Sequence, residues 1–215
     1  MEESRILSEQ EIDELLSGRH GRENHQKIKK AHVAIAGLGG LGSNVAVMLA
    51  RAGVGSLHLV DFDRVDGSNL NRQIYKMKHL GMEKTEALRG EILEINPYIR
   101  LKTDTVKVSE DNAAVLFAGD GLICEAFDGA ENKAMLVNTL LQKLPEAVIV
   151  SGSGMAGFGS GNLIRTQRRM KRLYLFGDGT SDIAEGISLV APRVMICAAH
   201  QALMILRLIL GETEP

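Results

Sequence analysis

Residues 32–42 of this 215-residue chain read HVAIAGLGGLG, and this stretch decides the fold. His32–Ala36 is a short run with β-branched residues, typical of a strand, and it ends directly in glycines. The residues that follow, Ser43–Arg51, have the apolar spacing of a helix that stops at Gly53. A strand, a glycine-rich turn and a helix in this order predict the first unit of a nucleotide-binding α/β fold.

Three of the glycines have the spacing of a dinucleotide-binding loop. Gly37 is placed for the tight turn, Gly39 for the approach of backbone N–H groups to phosphate, and Gly42 for close packing of helix on strand. The helix N-terminus adds unpaired donors and a partial positive charge. A second strand, Ser56–Val60, ends at Asp61, about 20 residues past the glycines, where an acidic residue commonly accepts the ribose hydroxyls. This combination predicts a bound nucleotide.

A polar segment, Ser68-Asn69-Leu70-Asn71-Arg72-Gln73, separates two interpretations of this loop. A nicotinamide needs a phosphate cradle and a ribose acceptor, whereas a site that splits ATP also needs cations for the phosphates and a carboxylate for magnesium. Arg72 offers a planar bidentate grip and Lys84 a point charge. Lys84 lies near a predicted helix start, where the dipole disfavours a cation unless an anion is close. A solvated lysine beside Glu83 and Glu86 is the alternative interpretation.

Asp128 is the candidate carboxylate for the metal. A strand-like stretch, Leu122–Cys124, leads into Glu125-Ala126-Phe127-Asp128, so Asp128 falls just past the carboxyl end of a strand. Open α/β sheets place their ligand crevice at this edge. The alternative role for Asp128 is to cap the helix predicted over Ala130–Leu144, which is worth about 1 kcal/mol of helix stability.

Five ordered blocks of the sequence resemble the ThiF/MoeB family, the bacterial relatives of the ubiquitin-activating enzymes. The blocks are GLGGLG at 37–42, DFD at 61–63, SNLNRQ at 68–73, the lysine after GME at 81–84, and the strand-end aspartate at 128. The resemblance runs from about Arg19 to Glu212 and is greatest to short ThiF-type sulfur carrier adenylyltransferases. Residues 125–128, residues 153–157 and the ending 200–211 carry this closer similarity.

The resemblance implies an activity and its partners. Members of the family adenylate the C-terminal glycine carboxylate of a small ubiquitin-like sulfur carrier that ends in Gly-Gly, and they release pyrophosphate. The implied cofactors are ATP and Mg²⁺. The first hypothesis is therefore activation of a ThiS-like carrier for the thiazole of thiamine, and another carrier, such as the small subunit of molybdopterin synthase, is the alternative within this class.

The resemblance also implies roles for residues of the motifs. Arg72, Lys84 and Asp128 are the implied catalytic residues, and Asp128 is the implied magnesium ligand. Gly40 would face the ATP phosphates and Asp61 the ribose. The whole nucleotide site comprises Gly37, Gly39, Gly40, Gly42, Asp61, Asp63, Ser68, Asn69, Arg72, Gln73 and Lys84. Because the attacking carboxylate and the triphosphate are both anionic, cations must offset their repulsion, and no general base is needed.

The cysteines depart from the pattern of many family members. Two Cys-x-x-Cys pairs hold a structural zinc in those members, but this chain has only Cys124 and Cys197, so we expect no zinc. Some members also place a cysteine after the last strands to carry the activated carrier, and residues 152–190 contain none. Cys124 and Cys197 are predicted to be buried small hydrophobes. The chain is therefore expected to activate the carrier without itself carrying sulfur.

Composition limits the classes of partner and the location. The chain is 45% hydrophobic and 24% charged, with a net charge of −2, which gives no reason to expect nucleic acid or an anionic membrane. Two cysteines suit a reducing cytoplasm, and the acidic, polar N-terminus does not resemble a signal peptide. The apolar stretch Val190–Leu210 contains Arg193, His200 and Arg207, so it is predicted to be a buried helix and not a membrane span.

The order of the patterns predicts an α/β fold: a Rossmann-like, mostly parallel sheet with helices on both faces, extended by antiparallel strands near the C-terminus. Residues 1–30 are predicted to be a helical lead-in with a capping box at Ser8 and Glu11, and residues 31–212 a single nucleotide-binding adenylyltransferase domain. The segments predicted after Val150 are a glycine-rich loop at 152–161, a strand pair at 162–166 and 173–176, and a polar, mobile stretch at 177–186.

Two basic regions are candidates for contacts with other chains. The family resemblance implies a homodimer in which an arginine of one subunit reaches the ATP phosphates of the other, and Arg19 or Arg22 lies in the matching region. The basic cluster, defined as Arg165, Arg168, Arg169, Lys171 and Arg172, is a candidate docking surface for an acidic carrier. A merely solvated face is the alternative for both regions. Met155 and Phe158, in the glycine-rich loop, are candidates to line a channel for the carrier's tail or to be core.

Two further classes of function stay open at this point. A nicotinamide-dependent oxidoreductase is favoured by the glycine motif and Asp61 alone. A catalytically inactive scaffold would be favoured by loss of Arg72, Lys84 or Asp128, and all three are present.

Overall fold

A computed structural model describes residues 5–181 and 188–215. The strands are β1 (His32–Ala36), β2 (Ser56–Asp61), β3 (Arg100–Thr105), β4 (Leu122–Glu125), β5 (Val148–Gly152), β6 (Arg165–Met170) and β7 (Leu173–Gly177). The α-helices are α1 (Glu9–His20), α2 (Arg22–Lys30), α3 (Gly40–Arg51), α4 (Lys84–Ile95), α5 (Glu110–Leu116), α6 (Ala130–Lys143) and α7 (Ala191–Leu210).

The strands form one seven-stranded sheet in the order β3-β2-β1-β4-β5-β7-β6. All neighbours pair in parallel except β6, which pairs antiparallel with β7 at the edge. The chain moves outward from β1 in both directions, so the carboxyl ends of β1 and β4 flank the switch point of the sheet. The predicted Rossmann-like, mostly parallel sheet is confirmed.

Helices cover both faces of the sheet, as predicted. One apolar core contains residues of α2, α3, α4 and α7, represented by Ile28, Val45, Leu88 and Ile205. The second core lies under α5 and α6, with Phe117 among its fully buried side chains. The two cores thus lie on opposite faces of the sheet.

The N-terminal segment contains two helices where one was predicted. The predicted capping box is confirmed: the Glu11 N–H donates to Ser8 Oγ at 3.3 Å, and the Ser8 N–H donates to Glu11 Oε2 at 2.9 Å. A second helix, α2, follows immediately after Gly21 and buries Ile28 in the core. The sequence signal for α2 is weak because its surface is almost entirely polar.

The C-terminal strand pair is antiparallel as predicted, but the first strand lies later in the chain. Residues Gly161–Leu163 form a 3-10 turn, because Ser160 Oγ accepts a hydrogen bond from the Asn162 N–H at 3.2 Å. The prediction of a strand at 162–166 is therefore wrong for its first residues, and β6 begins at Arg165. Residues 182–186 of the stretch predicted to be mobile lie outside the described residues.

Helix α7 has 20 residues and a mean hydropathy of 1.6, enough by length and composition to cross a membrane. It packs along α3 and against the sheet, and its inward face belongs to the first apolar core. Cys197 on this helix and Cys124 on β4 are both buried free thiols, as predicted. Burial raises the pKa of Cys197 to about 12, so its sulfur stays a protonated thiol at neutral pH.

Candidate active site

The glycine loop joins β1 directly to α3, and two of its glycines are required by the geometry. Gly37 has a φ of +91°, and a Cβ atom there would lie 2.9 Å from the carbonyl oxygen of Ala126. A Cβ atom at Gly42 would lie 1.8 Å from the carbonyl oxygen of Gly37. Because α3 already begins at Gly40, the N–H groups of its first turn face the switch point. The loop thus has the geometry of a phosphate cradle.

Asp61 fixes this loop from the end of β2. Its carboxylate accepts hydrogen bonds from the Leu38 N–H at 2.6 Å and the Asp63 N–H at 2.9 Å, and only 8% of the residue is exposed. Tyr75 donates its hydroxyl to the Leu38 carbonyl oxygen at 2.9 Å. Burial and the nearby acidic charges raise the pKa of Tyr75 above its usual range, so this donor stays protonated.

The polar segment 68–73 is held against the glycine loop by two residues outside the sequence motifs. Asn44 donates to the carbonyl oxygen of Gly40 at 2.7 Å and to that of Arg72 at 3.0 Å. Ser43 Oγ accepts from the Ile74 N–H at 3.3 Å. Both side chains are buried in the first turns of an otherwise apolar helix, and that contrast is the signal that could have identified them.

Arg72 and Gln73 carry polar atoms without partners beside the loop. Arg72 donates to the Ser68 carbonyl oxygen at 3.1 Å and to Asn71 Oδ1 at 2.9 Å, while its Nε is buried and has no partner within the described chain. The same holds for Gln73 Oε1, and Gln73 Nε2 lies 3.9 Å from the Cβ position of Gly39. Buried polar atoms are normally paired, so these atoms favour a polar ligand at the loop.

Lys84 is not a solvated lysine, so that interpretation is wrong. Its side chain is only 7% exposed, and its Nζ lies 2.8 Å from Asp63 Oδ2. Glu83, the neighbour considered for it, lies instead 3.4 Å from Arg64. The Asp63–Lys84 pair places a cation at the start of α4, on the wall of the same crevice as Gly37 and Asp61.

Asp128 does not cap α6, so that alternative is wrong as well. The N-cap residue is Gly129, and no side chain caps this helix. The Asp128 carboxylate lies 3.8 Å from the Cβ position of Gly39, within reach of a ligand on the glycine loop. Among the described residues no three acidic, histidine or cysteine side chains cluster for a metal. A single carboxylate fits the way Mg²⁺ binds together with nucleotide phosphates and water.

Two cavities meet at Phe127 and Asp128, which line both of them. The nucleotide-side cavity, of about 240 Å³, is lined by Gly37, Gly39, Asp61, Asp63, Lys84 and Asn132 among others. The tail-side cavity, of about 440 Å³, is lined by Gly40, Arg72, Lys133, Ser151, Met155 and Val194 among others. The glycine loop and the wall formed by Phe127 and Asp128 therefore separate two neighbouring binding spaces.

Several predicted residues lie outside these cavities. Ser68 and Asn69 belong to a 3-10 turn, in which Asn69 Oδ1 accepts from the Asp66 N–H at 3.1 Å. These two residues, and likewise Gly42 and Gln73, line neither of the two cavities. Of the two loop hydrophobes, Met155 lines the tail-side cavity and Phe158 is 85% exposed. Arg19 and Arg22 are exposed on α1 and α2.

A buried ion pair fastens one wall of the tail-side cavity. Arg193, near the start of α7, pairs with Asp178 and also donates to the Ser160 carbonyl oxygen at 3.1 Å. Although burial alone would raise the pKa of Asp178, hydrogen bonds from the backbone N–H groups of Ser181 and Thr180 hold that pKa well below its usual range. Because Thr180 and Ser181 line the cavity, the pair fixes part of its wall.

The basic cluster is divided by its contacts. Arg172 donates to the carbonyl oxygens of Leu144 and Ala147 at 3.0 and 2.6 Å, so it closes the end of α6. Arg168 pairs with Glu214 at 2.7 Å and lies over the ring of Tyr174. The remaining members of the cluster, Arg165, Arg169 and Lys171, are exposed around the edge strand.

A mostly parallel sheet with a glycine loop, an acidic residue at the end of β2 and cations at its switch point defines a nucleotide-binding α/β protein. Residues 13–215 match the ThiF family, and the chain belongs to this family. Its relatives include the molybdopterin-synthase adenylyltransferase of Salmonella typhimurium, 30% identical over 200 residues, which cover 90% of this chain and 78% of that protein.

Two further comparisons extend this finding. An adenylyltransferase and sulfurtransferase of Drosophila virilis is 34% identical over 145 residues, and the match spans 66% of this chain but only 31% of that longer protein. The structure of Escherichia coli tRNA N6-threonylcarbamoyladenosine dehydratase in complex with ATP has a TM-score of 0.85 at 21% identity, with 96% of this chain and 98% of that chain covered. At this identity the similarity shows the shared fold.

Proposed function

We propose that this chain is an adenylyltransferase that transfers AMP from ATP to the C-terminal carboxylate of a small ubiquitin-like protein. The observation that carries the proposal is the pair of cavities that share Phe127 and Asp128 beside the glycine loop. A nucleotide in one cavity and a chain end in the other would meet at the α-phosphate. Membership in the ThiF family and the adenylyltransferases among its relatives support the same assignment.

In the proposed reaction a carboxylate oxygen of the chain end attacks the α-phosphorus of ATP. A new carboxylate–phosphorus bond forms, the bond between the α-phosphorus and its bridging oxygen breaks, and pyrophosphate leaves with the electron pair. Arg72 and Lys84 would offset the charge that moves onto pyrophosphate, and Asp63 holds Lys84 in place. Mg²⁺, held by Asp128 and the phosphates, would add charge neutralisation when bound.

The roles of the remaining site residues are part of this proposal. The first-turn N–H groups near Gly40 would hold phosphate, and Asp61 would face the ribose from the nucleotide-side cavity. Gln73 would donate to the triphosphate through its Nε2, which lies 3.9 Å from the Cβ position of Gly39 on the glycine loop. Ser68 and Asn69 line neither cavity, so we assign them to the turn that presents Arg72.

The identity of the carrier is the finer part of the proposal. We place a ThiS-like carrier for thiazole synthesis first and the small subunit of molybdopterin synthase second, and a relative that is a molybdopterin-synthase adenylyltransferase supports the second. Because both thiols are buried, the chain would activate the carrier without carrying sulfur. We place this reaction in the cytoplasm. We further propose a homodimer, with Arg19 or Arg22 acting at the partner's phosphates.

Exchange of labelled pyrophosphate into ATP tests this function. We expect exchange that requires MgATP and a carrier with a Gly-Gly end, and a faster rate with the ThiS-like carrier than with the molybdopterin-synthase subunit. The same rate with both carriers, or a faster one with the second, would overturn the thiamine assignment. No exchange with either carrier would overturn the adenylyltransferase, and tight binding of a nicotinamide would then favour the oxidoreductase.

A further inference from the structure

Glu125 is a buried acidic residue that the proposed reaction does not use. It lies at the carboxyl end of β4 and is 0% exposed. Its carboxylate accepts hydrogen bonds from the Phe127 N–H at 2.7 Å, from Lys133 Nζ at 2.6 Å and from Ser151 Oγ at 2.5 Å. A buried carboxylate is costly unless it is paired and hydrogen-bonded, and these three donors satisfy it.

Lys133, unlike its partner Glu125, is partly exposed and faces a cavity. Its side chain is 20% exposed, and it lines the tail-side cavity together with Ser151 and Asp128. An ammonium group has three donors, and Glu125 accepts only one of them. The remaining donors are available to an acceptor inside the cavity.

The charges around the tail-side cavity determine where a carboxylate can bind. Asp128 lines the cavity and Glu125 lies behind its wall, so an incoming carboxylate would be repelled unless a cation lies beside it. Among the described residues that line the cavity, the cations are Arg72 and Lys133. Arg72 lies against Gly40 on the side of α3, whereas Lys133 comes from α6 on the opposite face of the sheet. Arg72 is thus placed for phosphate, and Lys133 is the cation left for the chain end.

We propose that Lys133 binds the terminal carboxylate of the incoming protein and that Glu125 is a positioning residue for it. Glu125 holds the ammonium group at the wall, and through the Phe127 N–H it also fixes the turn that carries Asp128. The cavity therefore selects a free C-terminal carboxylate over a neutral chain end. This inference rests on the proposed function, since it assigns the substrate to the tail-side cavity.

The test compares two forms of the carrier protein, one with a free C-terminal carboxylate and one with a C-terminal amide. Binding is measured by calorimetry in the presence of an ATP analogue with a methylene group between the α- and β-phosphorus atoms, so that pyrophosphate cannot leave and no transfer occurs. The wild-type protein is expected to bind the free acid about tenfold more tightly than the amide, as a charge-assisted contact allows. The matched control Lys143→Gln, at the exposed end of the same helix, should keep this preference.

The decisive variant is the double substitution Glu125→Gln with Lys133→Gln, which removes both charges and retains hydrogen-bonding groups. It should fold, bind the ATP analogue with wild-type affinity, and bind acid and amide carriers equally. Lys133→Arg should keep the preference for the acid, and Glu125→Gln alone should weaken it, because the ammonium group loses the carboxylate that positions it. A double variant that still prefers the acid would overturn the assignment to Lys133, and a Glu125→Gln protein with the full wild-type preference would overturn the positioning role of Glu125.

Failure of the proposed function has a different signature. In that case the wild-type protein neither binds the carrier nor exchanges pyrophosphate, and the inference about Lys133 falls with it. A wild-type protein that catalyses exchange but shows no preference between acid and amide overturns the inference alone.

Discussion

The two cavities of this protein differ in how their walls are built. The nucleotide-side cavity is lined by the glycine loop and the ends of neighbouring parallel strands. Its carboxylates have close partners: Asp61 accepts from the Leu38 N–H, and Asp63 pairs with Lys84. The walls of the tail-side cavity come from helices on both faces of the sheet and from segments far apart in sequence. Two buried ion pairs, Glu125–Lys133 and Asp178–Arg193, hold these walls.

This difference indicates a division of labour. The nucleotide side depends on backbone geometry at the switch point, and this geometry would bind the nucleotide whichever carrier enters the other cavity. The tail side depends on side-chain pairs that can change without disturbing the glycine loop. We therefore expect substitutions at the shared wall to remove the reaction, and substitutions on the tail side to change the affinity for the carrier while ATP binding persists.

Substitution at the shared wall should have the largest effect on the reaction. Asp128→Ala is expected to lower the rate of adenylate formation about 1000-fold, because it removes the carboxylate proposed for Mg²⁺ from both cavities. The melting temperature should stay close to that of the wild type, because Gly129 and not Asp128 caps α6. Exchange kinetics and thermal unfolding measure the two effects.

The control for this experiment is Glu131→Ala, an exposed acidic residue of the first turn of the same helix. It should leave the exchange rate unchanged. If Asp128→Ala kept normal turnover and unfolded at a lower temperature, its role would be structural and the magnesium role would be wrong.

Removal of the Asp178–Arg193 ion pair, on the tail side, should act mainly on the free energy of unfolding. Arg193→Ala removes the cation from buried Asp178 but leaves its hydrogen bonds from the Thr180 and Ser181 N–H groups, so it should cost about 3 kcal/mol of the free energy of unfolding. The double variant Asp178→Asn with Arg193→Gln should lose less, and it should have a higher KM for carrier with an unchanged KM for ATP. Equal rises in both KM values would show that the two cavities are not independent.

The Asp178–Arg193 pair should also make the free energy of unfolding depend on pH. The pKa of Asp178 is lower in the folded than in the unfolded protein, so its contribution is fully present above the unfolded value, about 3.9, and is lost as pH falls. Acid unfolding should therefore be steeper in the wild type than in the Asp178→Asn, Arg193→Gln variant.

Dimer formation would make the nucleotide side a composite of two chains, and mixing of variants tests this. Arg22→Ala and Lys84→Ala should each be nearly inactive alone if Arg22 acts at the partner's phosphates. Co-refolded mixtures should then recover about a quarter of wild-type activity, since half of the dimers are mixed and one of their two sites is intact. The same experiment with Arg19→Ala decides between the two arginines, and failure of both to complement excludes the arrangement.

The smallest effect is expected at the basic cluster. Because Arg168 and Arg172 have partners, the test uses Arg169→Glu with Lys171→Glu, both exposed. At low ionic strength the KM for an acidic carrier should rise about 3–10-fold, and the KM for ATP should not change. Lys143→Glu, an exposed charge on α6, is the control. An unchanged KM for the carrier would leave the cluster as a solvated face.

The two sides also differ in how far the sequence predicts them. The glycine loop, Asp61, Arg72 and Lys84 lie in short motifs, and their local geometry follows from backbone constraints at a strand-to-helix turn. The Rossmann-like sheet follows from the alternation of strands and helices. The buried environment of Lys84 does not follow, because Lys84 pairs with Asp63, which lies 21 residues earlier in the loop after β2.

The tail side was not predictable in the same way. Glu125 and Lys133 come together only when α6 packs beside β4, and a glutamate at a strand end is indistinguishable in sequence from a solvated one. The edge strand begins later than predicted because Ser160 caps a 3-10 turn at the first residues of the predicted strand. Such contacts depend on tertiary structure and override local propensity.

The product of the reaction gives the most direct test of the proposed function. After incubation with the protein and MgATP, intact mass spectrometry of the carrier should show the addition of one AMP, and fragmentation should place it on the C-terminal glycine. The amidated carrier should remain unmodified under the same conditions. A free-acid carrier whose mass does not change, with ATP and the carrier both bound to the protein, would contradict the claim that the two cavities join a nucleotide to a chain end.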